Sequence, residues 1–374
     1  MTNSSFHIPS SWSSLTWQQL CICWQSKIRY GGSPDAARAA ALLGLCGCTV
    51  CSAKKAEPLA YSDKTGESRF ILRDSAGRHY TVTPRELAWM AKQSMMWFDF
   101  PYGDQGEAEE RDENGKVVKE SREAVIGYVS QMHDAMILPV EHITIRGSRF
   151  AVPSEKRPWW KSSFTFTLSL FTSSKTFAMP QVACNSLTWQ QYRSLQGITS
   201  QLFQDGIDDE QALSLQAQFL AHCLVPRSIA LFDTTGGAIR LRPHYDYHYS
   251  AEQAEELERW WEKRLRRDIK QTSRHTDTEK AVSTIYHICF QTYQTALRYY
   301  ESVYPLLFQD SGKQDPLRDA LTGEVGTINT VMKCAGYSEQ QQVYDSNLPF
   351  VLDILNTMTK EAKEIEKINR KNKK

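Results

Sequence analysis

A pentapeptide that occurs twice constrains this chain more than any other feature. Leu15-Thr16-Trp17-Gln18-Gln19 returns intact as Leu187-Thr188-Trp189-Gln190-Gln191. A tryptophan-containing identity of this length is not expected by chance in 374 residues. The surroundings repeat as well. Phe6-His7-Ile8-Pro9 precedes the first copy, and Phe177-Ala178-Met179-Pro180 precedes the second at nearly the same distance. The chain must therefore build one local structure twice.

Helical spacing identifies that structure. In the first copy Trp17, Leu20, Cys21 and Trp24 recur at the period of a helix, which runs from Leu15 to about Tyr30, with a serine or Thr16 at its start. Gly31-Gly32-Ser33-Pro34-Asp35 breaks it, and an Ala- and Leu-rich helix follows over residues 36–45. In the second copy a helix over residues 187–203 is broken at Asp205-Gly206 and followed by another over 211–224. Both are helical hairpins, with Leu15, Trp17, Leu187 and Trp189 as inward-facing anchors. Each hairpin leads to strand-like residues. In copy one these are Arg69-Phe70-Ile71-Leu72-Arg73, a turn at Asp74-Ser75-Ala76-Gly77, and His79-Tyr80-Thr81-Val82. In copy two they are residues 238–242, leading to His248-Tyr249-Ser250. A helix closes each unit, and the pattern pairs Glu86-Leu87 with Glu256-Leu257.

The expected fold is α+β, mostly helical, with two pseudo-repeated units (helical hairpin, β-ribbon, helix) and a C-terminal helical domain. The boundaries are 1–102 for the first unit, 103–160 for a polar linker with a helix and a strand, 161–274 for the second unit and 275–374 for the C-terminal domain. The linker carries the acidic run Glu107, Glu109, Glu110, Asp112 and Glu113, which has nothing to bury. A helix over 121–136 and strands over 140–145 and 163–171 follow. The C-terminal domain opens with a long helix over 279–304 that places Ile285, Ile288, Cys289, Tyr293, Ala296, Leu297 and Tyr300 on one stripe. A polar loop over 309–326 and a short helix stopped by Gly336 come next. The last helix starts at Asn347-Leu348-Pro349.

Bulk properties narrow the functional classes. The net charge of +1 gives no electrostatic reason for a nucleic-acid or anionic-membrane partner. No apolar run approaches the roughly 18–20 residues that span a bilayer. Met1-Thr2-Asn3-Ser4-Ser5 has no secretion-signal pattern. Nine cysteines, several in helix-like apolar surroundings, point to reduced thiols in a cytoplasm.

No catalytic constellation stands out, and no cofactor is expected. There is no G-x-x-x-x-G-K-[ST] phosphate loop and no G-x-S-x-G elbow. Five cysteines lie between Cys21 and Cys51, but of these only Cys48 and Cys51 have zinc-knuckle spacing, with Cys46 beside them. Two cysteines at i, i+2 in a helix, as at Cys21 and Cys23, point about 200° apart. Buried small hydrophobes are the simpler reading. His244, Asp246 and His248 would share one face of a strand and could bind a metal, against the simpler reading of a solvated or interface face. Arg264-Leu265-Arg266-Arg267 interleaves with glutamates and reads as a solvated helix face.

The aromatics say more. The chain has ten tryptophans, with pairs at Trp159-Trp160 and Trp260-Trp261 and the cluster Trp97-Phe98-Asp99-Phe100. Beside polar stretches these become candidate protein contacts: Trp97, Phe98, Phe100, Trp159, Trp160, Trp260 and Trp261. The F-x-[IM]-P … L-T-W-Q-Q helical units, with residues 326–333 and 347–353 near the end, resemble proteins of Bacteroidota phages and prophages, in particular phage tail assembly chaperones. That resemblance implies a cytoplasmic, non-enzymatic factor that binds the tape-measure or tail-tube protein. The duplication and the β-ribbons depart from the small helical chaperone. A structural tail or connector component of the virion is the alternative. A metal-binding or DNA-associated protein using Cys21–Cys51, or a metal site at His244–His248, is a further one.

Overall fold

Thr16 and Thr188 decide where the two hairpins begin, and the repeated pentapeptide supplies everything they need. In each copy the threonine hydroxyl accepts from the backbone N–H of the glutamine three residues on, at 3.3 Å in copy one and 3.2 Å in copy two. That glutamine reaches back to accept the threonine N–H, at 2.9 and 3.0 Å. This reciprocal pair is a capping box, which satisfies two N–H groups that a helix start leaves open. The residue before each cap is buried, Leu15 and Leu187, as is the fourth helical residue, Leu20 and Tyr192. That is the sequence placement of a hydrophobic staple.

The computed structural model describes residues 8–30, 32–51, 70–99, 132–146, 174–226, 228–230, 244–246, 249–271, 282–308 and 323–372. The fold is α+β and mostly helical, and the chain divides into two compact units. The first comprises Met1–Pro139 and Gln271–Tyr299. It contains α1 (Trp17–Arg29), α2 (Pro34–Leu45), β1 (Thr49–Val50), β2 (Phe70–Arg73), β3 (His79–Val82) and α3 (Pro84–Ser94). The strands form an antiparallel sheet in the order β1-β2-β3. At the β2–β3 turn Asp74 accepts from the backbone and side chain of Arg78 and from the Tyr80 hydroxyl. A Cβ at Gly44 of α2 would lie 2.5 Å from Ile22 Cγ2 of α1, so the missing side chain sets how closely the hairpin closes. Thr83 and Glu86 form a further capping box that starts α3.

The core of this unit gathers Trp12, Leu15, Leu20, Cys21, Cys23, Trp24, Ala37, Ala41, Leu42, Leu87, Ala91, Met95, Phe98 and Ile288. Ile288 belongs to the helix Val282–Val303, whose residues up to Tyr299 fall in this unit. That helix buries more than one stripe. Thr284, Thr292 and Thr295 are buried with the apolar residues, and Thr284 accepts from Gln25 at 3.1 Å.

The second unit comprises Val140–Lys270 and Tyr300–Lys374. Its elements are β4 (His142–Arg146), β5 (Ser174–Ala178), α4 (Trp189–Leu202), α5 (Asp209–Cys223), β6 (Val225–Pro226), β7 (Ser228–Ala230), β8 (His244–Asp246) and α6 (Ala251–Gln271). After α7 (Val282–Val303) come α8 (Pro305–Phe308), α9 (Glu324–Ala335), α10 (Gln340–Tyr344) and α11 (Leu348–Asn372). The strands pair antiparallel as β4-β5-β6 and β7-β8. Asp208 and Gln211 cap α5 by the same box, and Gly336, in the left-handed region at φ 70°, ends α9.

Several expectations shift against this architecture. Residues 275–374 are shared between the two units. The first hydrogen bonds of the closing helices, Leu87 N–H to Thr83 and Ala254 N–H to Ser250, align Leu87 with Ala254, three residues earlier than Leu257. The acidic run, the strand expected over 163–171 and the strand over 238–242 lie outside the described residues, as does the helix over 121–136 before Met132. Residues 324–326, expected in a loop, form the first turn of α9. No described helix is long and apolar enough to cross a membrane.

Candidate functional site

The aromatic residues singled out from the sequence divide by burial. Phe98 and Trp261 are interior, 2% and 0% exposed, so they are core side chains and not surface contacts. Trp97 is half-buried; its indole donates to the Pro9 carbonyl at 2.9 Å, and its own carbonyl accepts from the Trp12 indole at 2.8 Å. Trp12, Trp97 and Phe98 therefore lock the segment before α1 onto the segment after α3. Lys27 completes this group. It is buried, with its ammonium 5.0 Å from the Trp12 ring centroid, 5.7 Å from Trp24 and 4.6 Å from Phe98. The π-faces supply the negative potential that such a cation needs away from water. Trp260 is half-buried, packs edge-on to Trp261 at 4.8 Å and lies under Arg264 at 4.5 Å and Lys175 at 5.6 Å. Phe100, Trp159 and Trp160 lie outside the described residues. Of the repeat anchors, Leu15, Leu187 and Trp189 are buried, and Trp17 is partly buried against the first core.

Among the described residues no three His, Cys, Asp or Glu side chains are placed to share an ion. Cys21 and Cys23 are fully buried, and burial pushes the Cys23 thiol up to about 12. Cys46 is pushed up to about 11, first by burial and then by Cys48. Both thiols are therefore neutral at pH 7. Of the His244, Asp246 and His248 set, His244 and Asp246 are the ends of β8, and His248 is outside the described residues.

Sequence reasoning missed two features. The first is a polar relay in the second unit. Burial depresses His222, at the end of α5, to about 4, so the imidazole is neutral at pH 7. Its Nδ1 lies 2.6 Å from the Tyr249 hydroxyl. Burial raises Tyr249 to about 12, so it stays a phenol, and Ser194 hydrogen-bonds to it. The other ring nitrogen, Nε2, lies 4.0 Å from Glu258. A carboxylate there would favour a charged histidine, but 4.0 Å is beyond a hydrogen bond. Glu258 is itself raised, by burial and by Glu255, so desolvation prevails. Nothing in the spacing of Ser194, His222 and Tyr249 announces this contact.

The second feature is exposed apolar surface. Trp89 on α3 is 64% exposed, Met96 75% and Phe203 70%. The helical wheel could have found Trp89, since it stands about 200° from both Leu87 and Ala91, which are buried. A shallow groove of about 600 Å³ lies in the second unit, lined by Tyr337, Gln342, Asp345, Ser346, Asn347 and Phe350. It adjoins the second pentapeptide directly. Trp189 N–H donates to the Ser346 carbonyl at 2.8 Å, and Leu348 N–H to the Leu187 carbonyl at 2.9 Å.

Just before that pentapeptide the backbone is strained. Ala183 and Cys184 both have φ 54°, a left-handed conformation that costs a side-chain-bearing residue roughly 1–2 kcal/mol. The Tyr300 hydroxyl donates to the Ala183 carbonyl at 2.7 Å, and Leu187 N–H to the Cys184 carbonyl at 3.1 Å. These bonds hold the turn that delivers Leu187 to the core. Comparison with protein-family models, with curated proteins and with solved structures finds no match for the chain.

Proposed function

We propose that this chain is a non-enzymatic protein-binding factor of phage or prophage tail morphogenesis, acting on the tape-measure or tail-tube protein. The observation that carries the binding role is where the apolar residues go. The two repeated hairpins bury their leucine anchors, Leu15 and Leu187, yet Trp89, Met96 and Phe203 remain large, apolar and exposed. Trp, Phe and Met are residue types enriched in the buried centres of protein interfaces, and that composition is what supports a binding role. The role in tail morphogenesis rests on the resemblance of the hairpin units to tail assembly chaperones.

Co-expression with the neighbouring tape-measure gene tests the proposal. A stable co-purifying complex is expected, weakened by Trp89→Ala or Phe203→Ala, with the folding of either variant unchanged because both side chains face solvent. A clean absence of complex with both tape-measure and tail-tube proteins removes the proposal. Mass spectrometry of purified particles separates a factor of assembly, absent from the virion, from a structural tail component, present in it.

A further inference from the structure

The last helix outruns the core that supports it. In α11 Val351, Leu355, Met358, Ala362 and Ile365 recur at alternating spacings of four and three residues, the pattern of a helix that pairs along a seam. The seam is buried at Val351 and Leu355 and half-buried at Met358 and Ala362. It then emerges: Ile365 is 59% exposed and its neighbour Ile368 56%. Residues 361–372 carry the helix about three turns past its buried part. The apolar stripe of this segment calls for a partner.

The charges identify which one. At 100° per residue, Glu361 and Glu364 flank Ile365 on one side, and Lys371 lies on the same flank two turns later. On the other flank Glu366 is already paired with Arg370. After Glu366 the chain carries Lys367, Arg370, Lys371, Lys373 and Lys374 and no acid. The segment is therefore acidic at its start and basic at its end. A second copy laid parallel would set Glu361 beside acid and Lys371 beside base. Laid antiparallel, with Ile365 of each helix opposite Ile368 of the other, it sets Glu361 beside Lys371 twice.

We propose that residues 361–372 dock antiparallel against the same segment of a second copy, forming a two-fold homodimer. The interface is isologous, so each favourable pair is made twice. Its size, about two heptads, implies a dimer whose population follows concentration.

Light scattering of the full chain after size exclusion, at rising concentration, tests the proposal. The wild-type mass should climb toward a dimer. Ile365→Glu with Ile368→Glu should weaken association at least tenfold and leave the circular dichroism of the chain essentially unchanged, since both side chains face solvent. Glu361→Lys and Lys371→Glu should each weaken it. The double variant Glu361→Lys with Lys371→Glu should restore it, because reversed charges still meet across an antiparallel pair. A chain that stays monomeric, or a dimer indifferent to Ile365→Glu with Ile368→Glu, overturns the proposal. A double variant that fails to recover overturns the antiparallel pairing on which it rests.

Discussion

The two copies of Leu-Thr-Trp-Gln-Gln make the same helix start and then serve different neighbours. In copy one the box is at the surface. Gln19 is spent on Thr16 alone, and the hairpin is sealed by Trp12 from before the cap. In copy two Gln191 is 1% exposed and has a second use, donating through Nε2 to the His222 carbonyl at 2.8 Å. Thr188 bridges to Asn347, and the motif joins the start of α11. At the place of Trp12, three residues before the leucine, copy two has Cys184 in a strained turn. A local signal of five residues thus fixes where a helix begins and leaves open what it packs against. That is decided by residues outside the repeat.

The largest test of this difference is at that non-equivalent position. Trp12 is 4% exposed, touches Trp24, Trp97 and Phe98, and donates its backbone N–H to the Asp134 carboxylate at 3.1 Å. Trp12→Ala should lower the stability of the first unit by about 3–5 kcal/mol, the usual cost of emptying a tryptophan site. Cys184→Ala, which removes one sulfur from a filled site, should cost about 1 kcal/mol. Urea unfolding followed by tryptophan fluorescence reads both, and equal effects would show that the two turns are equivalent after all.

Acid should divide the copies next. The folded pKa of His222 is depressed to about 4 from an ordinary value near 6.5. The native state therefore favours the neutral ring. Its contribution is fully present above pH 6.5 and is lost as pH falls from 6.5 toward 4. At about 1.4 kcal/mol per unit the total is about 3 kcal/mol. His222→Gln should flatten that part of the stability profile. An unchanged slope between pH 6.5 and 4 would place the acid sensitivity elsewhere.

How much of this was legible follows from the range of each interaction. The hairpins, β2, β3 and the start of α11 depend on residues within a few positions of one another, and their caps, turn and periodicity stand in the sequence. Phe98 and Trp261 were misplaced because polar neighbours in sequence do not report neighbours in space. Phe98 is enclosed by Trp12, and Trp261 by Phe177, each more than eighty positions away. The unit division was hidden for the same reason. A helix in a new compositional region reads as a new domain, yet Ile288 completes the core of the first hairpin. The His222–Tyr249 contact joins a helix end to a residue beyond a β-ribbon, and no spacing rule reaches that far.

The finest test acts within the repeat itself. Gln19 and Gln191 are the same residue in the same capping box, so a purely local role predicts equal effects. Gln19→Ala removes one side-chain acceptor at a solvent-accessible helix start, which costs about 0.5–1 kcal/mol. Gln191→Ala removes that acceptor and also leaves the His222 carbonyl without its donor in a buried place, adding about 1–3 kcal/mol. Because that carbonyl belongs to the residue whose imidazole meets Tyr249, the second variant should also loosen the relay and raise the pKa of His222 by admitting water. Proton NMR titration of the histidines in the two variants reads this directly. A raised His222 pKa in Gln191→Ala and not in Gln19→Ala would tie the repeated motif to the relay in one copy only. Matching stabilities and an unmoved His222 would reduce both glutamines to caps.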